Sequence, residues 1–333
     1  MNYLEEQIIS IGKIRIKNHL ADIGIETVKS EIIKGFKAPK KYISSKFFYD
    51  EKGSQLFEEI TQLAEYYPTR TEKKILSSFV KNSSIDFTDL SIIELGSGDS
   101  SKIKLLLKQI SQNSLSSIRY FPVDISASAI LKSSEELMQE FELKSITGIV
   151  ADFVHQLNIL PKAGRRLFCF FGSTIGNFRK AEQKKFITEL GNEMQAGDAL
   201  LLGMDMVKDI SVLEKAYNDE KGVTAAFNKN ILNVINALCN ANFDIDDFEH
   251  IAFYNQAENR IEMHLKALKE MDITINSALD TIHFSKGERI HTENSHKYTD
   301  KDIAAIEKAG NLKLESTFTD KNRWFKLIYF VKS

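Results

Sequence analysis

Five short apolar runs, at residues 92–95, 118–123, 147–151, 166–171 and 199–204, are separated by segments of a different period. In three of those segments, 102–110, 126–141 and 180–194, apolar residues recur at three- and four-residue steps, which places them on one face of a helix. Short buried runs alternating with amphipathic helices are the pattern of successive βα units. The middle of the chain is thereby confined to an α/β architecture with a mainly parallel sheet.

The rhythm stops after Asp205. A long helix is expected over 224–241, followed by strand-like runs at 250–254, 260–268 and 281–298. It returns at the end of the chain, with a helix over 300–309 and two strands at 313–318 and 324–331 joined by the turn Thr319-Asp320-Lys321-Asn322. A helix and a terminal hairpin of this kind would finish such a sheet at one edge. Residues 207–297 therefore read as an insertion that packs with the N-terminal segment. The expected division is 72–206 with 298–333 as the core, and 1–71 with 207–297 as a second domain.

A chain of 333 residues, 43% hydrophobic, can bury a sizeable core. Its 44 Lys and Arg against 46 Asp and Glu leave a net charge of −2, so no global field draws in nucleic acid or anionic lipid. The basic run 34–46, with Lys37, Lys40 and Lys41 interleaved by Phe36, Pro39 and Tyr42, reads as a solvated face. The opening Met1-Asn2-Tyr3-Leu4-Glu5-Glu6 lacks the layout of a secretion leader, and no uncharged apolar stretch is long enough for a membrane span. Cys169 and Cys239 lack metal-ligand spacing and read as buried thiols. The expectation is a cytoplasmic monomer that acts on a small molecule and engages neither nucleic acid nor membrane.

The first run ends in Glu94-Leu95-Gly96-Ser97-Gly98, a turn whose glycines let backbone approach a ligand beside a helix start. A dinucleotide fingerprint needs a third glycine where Ser101 stands, which weakens a nicotinamide reading. Glu94 before the turn favours S-adenosylmethionine. Asp124 ends the second run, where a carboxylate can accept both ribose hydroxyls, and Asp152 ends the third, within reach of an adenine amino group. Both could also be ordinary loop-start acids or helix caps. Lys102, in the first turn of the next helix, could pair with the methionine carboxylate.

Several stretches together resemble the L-histidine Nα-methyltransferases of ergothioneine biosynthesis. They are Phe48-Tyr49-Asp50-Glu51-Lys52-Gly53-Ser54 with Leu56-Phe57-Glu58, Glu65-Tyr66-Tyr67-Pro68-Thr69-Arg70, the glycine turn, Gly172-Ser173-Thr174-Ile175-Gly176-Asn177-Phe178, Ala216-Tyr217-Asn218-Asp219 and Arg260-Ile261-Glu262-Met263. The resemblance implies a class I, Rossmann-like, S-adenosylmethionine-dependent methyltransferase core with a seven-stranded, mostly parallel sheet, and a second, α+β substrate-binding domain. It implies three methyl transfers to the α-amino group of histidine, giving hercynine, with S-adenosylhomocysteine as the other product. Tyr49, Gly96, Ser97, Gly98, Lys102, Asp124, Asp152 and Phe153 would hold the cofactor. Tyr66, Asn177 and Tyr217 would hold the reacting amino acid, Gly172 and Met263 would line its pocket, and Glu293 with Ser295 would read the imidazole.

Glu293 and Ser295 are two apart, so in an extended strand they share a face and can meet the two edges of one ring. His291, Glu293 and His296 invite a metal reading, but alternation turns His296 to the opposite face, so no metal is expected. His155, His250, His264 and His283 read as scattered. The competing readings are the same fold acting on another aromatic amino acid or a histidine-like amine, a catalytically silent S-adenosylmethionine-binding module and, remotely, a nicotinamide oxidoreductase.

Overall fold

In a computed structural model of the protein, residues 8–20, 23–162, 164–275 and 280–333 are described. The residues examined above for a leader lie outside them. The chain forms two compact units; the described residues of the first are 8–20, 68–207 and 296–333, and those of the second are 23–67 and 208–295.

The first unit is built on β1 (Ile8–Ile11), β2 (Ile14–Asn18), β3 (Ser91–Leu95), β4 (Arg119–Asp124), β5 (Ser145–Val150), β6 (Arg166–Phe170) and β7 (Ala199–Asp205). The chain then builds β8 (Phe248–Asn255), β9 (Arg260–Ala267), β10 (Met271–Ile275), β11 (Asp280–Phe284) and β12 (Arg289–His296), and ends in β13 (Leu312–Thr319) and β14 (Phe325–Lys332). Among the described residues one nine-stranded sheet runs β1-β2-β5-β4-β3-β6-β7-β14-β13. Pairing is parallel from β2 through to β7, and antiparallel where β14 meets β7 and β13 and where β1 meets β2.

β3, β6 and β7 are buried along their whole length, as strands covered on both faces must be. Phe186, Ile187 and Leu190 from helix Lys180–Glu193, with Ile303 and Ile306 from helix Asp300–Gly310, close over Phe168, Phe170, Leu200 and Leu202. The strand order runs outward from β3 in both directions, so connections diverge between β3 and β6. In an open parallel sheet a ligand crevice forms at the carboxyl ends of strands beside such a switch point.

Two expectations are corrected. The sheet has nine strands rather than seven, because β1 and β2 extend it at the β5 edge. Residues 8–20 accordingly belong with the first unit and not, as the expected 1–71 boundary had it, with the second. The reason is local: Ile14 and Ile16 are buried while Arg15 and Lys17 are exposed, a period-two pattern that fits a sheet edge.

In the second unit, helix Val223–Cys239 buries Phe227, Ile231 and Ile235. β8 pairs antiparallel with β9, which adjoins β12, and β10 pairs with β11. The run expected over 281–298 is divided by a turn in which Gly287 adopts φ +86°, open to glycine at little cost. Lys37, Lys41 and Lys46 of the basic run pair with Asp280, Glu288 and Glu31. Cys169 and Cys239 are buried and unbridged. Among the described residues no helix is long and apolar enough to cross a membrane.

Candidate active site

The glycine turn is locked onto the next strand of the first unit. The backbone N–H groups of Gly96 and Ser97 donate to the Val123 carbonyl, at 2.8 and 3.2 Å. Gly96 and Gly98 adopt φ of +70° and +51°, and nothing lies within 4 Å of where a Gly98 Cβ would be, so the turn is open there. Asp124 accepts from Gly98 N at 3.1 Å and from Ser126 N at 3.0 Å. It therefore ties the turn to the start of helix Ala127–Glu140, and burial pushes its carboxyl upward against the pull of those N–H groups. The helix cap itself is Ser126, whose hydroxyl accepts from Ala129 N at 3.3 Å; Asp124 is the loop-start acid before it, with lone pairs left for further donors.

Asp152 follows β5 and accepts from Val154 N at 3.2 Å. Phe153 packs edge-on against Phe170, with ring centroids 5.6 Å apart, and borders Gly96. Ser97 Oγ and Ser100 Oγ are buried with no hydrogen-bond partner among the described residues. Buried hydroxyls are ordinarily satisfied, so two unpaired ones beside the turn fit a polar ligand there. Acids at the strand ends, an open glycine and unpaired hydroxyls together suit an adenosine bearing an amino acid tail.

Glu94 is enclosed, and Tyr120 Oη donates to it. Burial raises its carboxyl from an ordinary 4.5 to about 8, partly offset by that hydrogen bond. A folded-state value above the free one means that the protonated form stabilises the fold. This stability is fully present below pH 4.5 and is lost as pH rises through about 8. The melting temperature is therefore expected to fall from about pH 6 to about pH 9. Glu94→Gln, which cannot ionise, should flatten that decline; identical slopes would exclude Glu94 as its source.

Lys102 meets a partner that sequence reasoning missed. Glu72, fully buried in helix Tyr67–Leu76, pairs with Lys102 Nζ at 2.9 Å and accepts Gly172 N on both oxygens at 2.9 Å. Its signal was available: Glu72 shares the buried helix face with Thr69, Ile75 and Leu76. Gly172, expected to line the substrate pocket, has φ +76°, and an added Cβ would lie 2.8 Å from Lys102 Nζ. Asp205 N donates to Ser173 Oγ at 3.0 Å, and Gly176 packs on the His296 backbone, where a Cβ would lie 3.0 Å from the carbonyl oxygen. The loop ending in Asn177 is thus fixed from three sides. Asn177 is half-buried.

The second unit holds Tyr49, Tyr66, Tyr217, Met263, Glu293 and Ser295. Tyr217 Oη donates to Ser295 Oγ at 2.7 Å, and its ring meets that of Tyr66 edge-on at 6.1 Å. Phe57 lies 6.2 Å from Tyr66 and 5.8 Å from Tyr49, so the three tyrosines belong to one aromatic series. Met263 and Glu293 are buried, and Thr292 Oγ1 shares its one proton between the Met263 carbonyl, at 3.0 Å, and Asn228 Oδ1, which ties β12 to β9 beside both.

A positioning set behind these residues was also missed. Asn228 is fully buried in helix Val223–Cys239; its Nδ2 donates to His250 Nδ1 at 2.8 Å and to the His264 carbonyl at 3.0 Å, and its Oδ1 accepts from Thr292 Oγ1 at 2.7 Å. With Nδ1 accepting, His250 carries its proton on Nε2 and donates to the Tyr217 carbonyl, 2.9 Å away. Burial lowers the His250 pKa, which favours that neutral form. The histidine read as scattered in fact sets Tyr217.

The family described as "Histidine-specific methyltransferase, SAM-dependent" matches residues 28–332. The histidine N-alpha-methyltransferase of Mycobacterium tuberculosis is 38% identical over 310 residues, 93% of this chain and 96% of that protein. That of Mycolicibacterium smegmatis is 38% identical over 313 residues, 92% and 96% of the two chains. An L-tryptophan methyltransferase of Psilocybe serbica is 26% identical over 330 residues, 89% of this chain and 91% of that one. On the family match over 28–332, the chain belongs to the histidine-specific, S-adenosylmethionine-dependent methyltransferases.

Proposed function

We propose that the protein transfers methyl groups from S-adenosylmethionine to the α-amino group of L-histidine, three in succession, giving hercynine, the first step towards ergothioneine. The observation that carries the substrate reading is the buried Tyr217–Ser295 hydrogen bond with the Tyr66 ring packed edge-on beside it. It joins residues 78 positions apart in the chain that the family resemblance assigns to one amino acid.

S-adenosylmethionine supplies a methyl group already activated on a sulfonium, with a neutral thioether as leaving group. The protein then has little acid-base work, and positioning carries most of the catalysis. Tyr49, Gly96, Ser97, Gly98, Asp124, Asp152 and Phe153 are assigned to the cofactor. Lys102 is assigned there too, its ammonium oriented by Glu72. Asn177 is assigned to the amino acid backbone, which its amide can meet as both donor and acceptor.

The amine must react unprotonated. The largely buried rings of Tyr66 and Tyr217 disfavour an ammonium by withholding water, and their faces attract the methylated cation that succeeds it. Glu293 accepts from an imidazole N–H, and Ser295, oriented by Tyr217, meets the other nitrogen. These assignments make the first unit the cofactor domain and the second the imidazole-reading domain.

Tyr217→Phe removes the hydroxyl that orients Ser295. Loss of a neutral hydrogen bond costs about 0.5–1.5 kcal/mol, so histidine binding should weaken by a few-fold to about tenfold with cofactor binding unchanged. Calorimetry on both ligands reads this. Unaltered histidine binding in both Tyr217→Phe and Ser295→Ala would remove the substrate assignment. The relative that is named for tryptophan shows which second reading to include, so tryptophan belongs in the same titration.

A further inference from the structure

Glu262 and His264 on β9 and His291 on the adjoining β12 each offer one ligand atom, and these atoms all lie within 4.8 Å of one another. None of the three carries a role in the function proposed above. The set differs from the His291, Glu293 and His296 grouping considered in the sequence, because pairing of β12 with β9 brings in two residues that no local spacing connects to His291.

We propose that Glu262, His264 and His291 form a binding site for a divalent transition-metal ion of the zinc, nickel or copper class. Bonds of about 2.0–2.2 Å to nitrogen and oxygen place neighbouring ligands of a tetrahedral ion roughly 3.3 Å apart. Glu262 Oε2 and His264 Nε2 are already 3.1 Å apart. The three ligand atoms all lie within 4.8 Å of one another, so tetrahedral spacing requires them to close by about 1.5 Å at most.

The surroundings hold the ligands as a metal site requires. Arg260 donates to Glu262 Oε1 from Nε at 2.9 Å and from Nη2 at 2.7 Å, and Asn255 adds a third bond to that oxygen at 2.9 Å, which leaves Oε2 turned to His264. The His264 ring is stacked on Phe253 at 5.5 Å, and its Nδ1 is buried without a hydrogen-bond partner among the described residues. His291 Nε2 lies 2.9 Å from Asn294 Oδ1; donation there leaves the Nδ1 lone pair for an ion. Metal-ligating histidines are commonly oriented in this way through the outer nitrogen.

The guanidinium of Arg260 opposes a dication, so the affinity is set below that of closed structural sites. Two imidazoles and one carboxylate suit late first-row ions over magnesium or calcium. A bound ion clamps β9 to β12, the strands that carry Met263 and Glu293. Binding itself does not depend on the substrate assignment.

The test is calorimetric titration of the tag-free, chelator-stripped full chain with Zn2+, paired with the visible absorption of its Co2+ form. The expected result is one ion per chain, weakened at least tenfold in His264→Ala, in His291→Ala and in the more conservative His291→Asn, with no loss in His283→Ala. A cooperative thermal transition and wild-type far-ultraviolet circular dichroism in each variant show that it has folded. Absence of Zn2+ binding by the wild type, or binding undiminished in folded His264→Ala and His291→Asn, would overturn the site.

Discussion

Replacing Glu293 by Ala is expected to lower kcat/KM for histidine about a hundredfold, since a hydrogen bond to a charged group contributes about 1.5–3 kcal/mol. S-adenosylmethionine binding should be unchanged. Glu293 is buried on β12 two residues before Ser295, which Tyr217 holds. An apolar pocket cannot tell imidazole from another flat ring, whereas a carboxylate that needs an N–H is left unpaired by phenylalanine. The variant should therefore also narrow the preference for histidine over phenylalanine and tryptophan. Steady-state kinetics on the three amino acids measures both effects, and an unchanged preference would show that specificity lies elsewhere.

A change of similar size, but in stability, is expected at Asp198→Ala. Arg166 at the start of β6 is 1% exposed and donates from Nε to Asp198 at 2.9 Å, from Nη1 to the Pro161 carbonyl at 3.1 Å and from Nη2 to the Glu193 carbonyl at 2.7 Å. Asp198 also accepts from Arg166 N at 2.9 Å and Gln195 N at 2.7 Å. Removing one partner of a buried pair strands the other charge, at a cost of about 3–5 kcal/mol. The melting temperature should fall by roughly 5–15 °C. The pair sits at the amino end of β6, opposite the strand ends that carry Glu94, Asp124 and Asn177. Folded Asp198→Ala should therefore turn over at the wild-type rate at low temperature, and the two substitutions separate stability from recognition.

The parallel sheet was legible because β3, β6 and β7 are buried on both faces and so read as unbroken apolar runs. The positions of the glycine turn and of Asp124 could be read because each ends a strand, although β4, which ends in Asp124, is only partly buried. β1 and β2 were missed although Ile14 and Ile16 alternate with Arg15 and Lys17, a signal too short to distinguish from a loop. The pairings of Glu72 with Lys102 and Gly172, and of Asn228 with His250 and Thr292, join segments far apart in the chain. No periodicity within one helix or strand encodes them. Glu293 and Ser295 were reached through family resemblance and strand spacing. Yet His291 reaches Asn294 three residues on, a contact that uniform alternation does not allow.

The central claim, methylation of the histidine α-amine, is tested most directly by incubating the purified chain with S-adenosylmethionine and each amino acid separately and weighing the products. The account predicts that histidine gains three methyl groups on its α-nitrogen, located by fragmentation, while S-adenosylhomocysteine accumulates threefold over product. Methylation of a ring nitrogen, or turnover of another amino acid with histidine untouched, would contradict it.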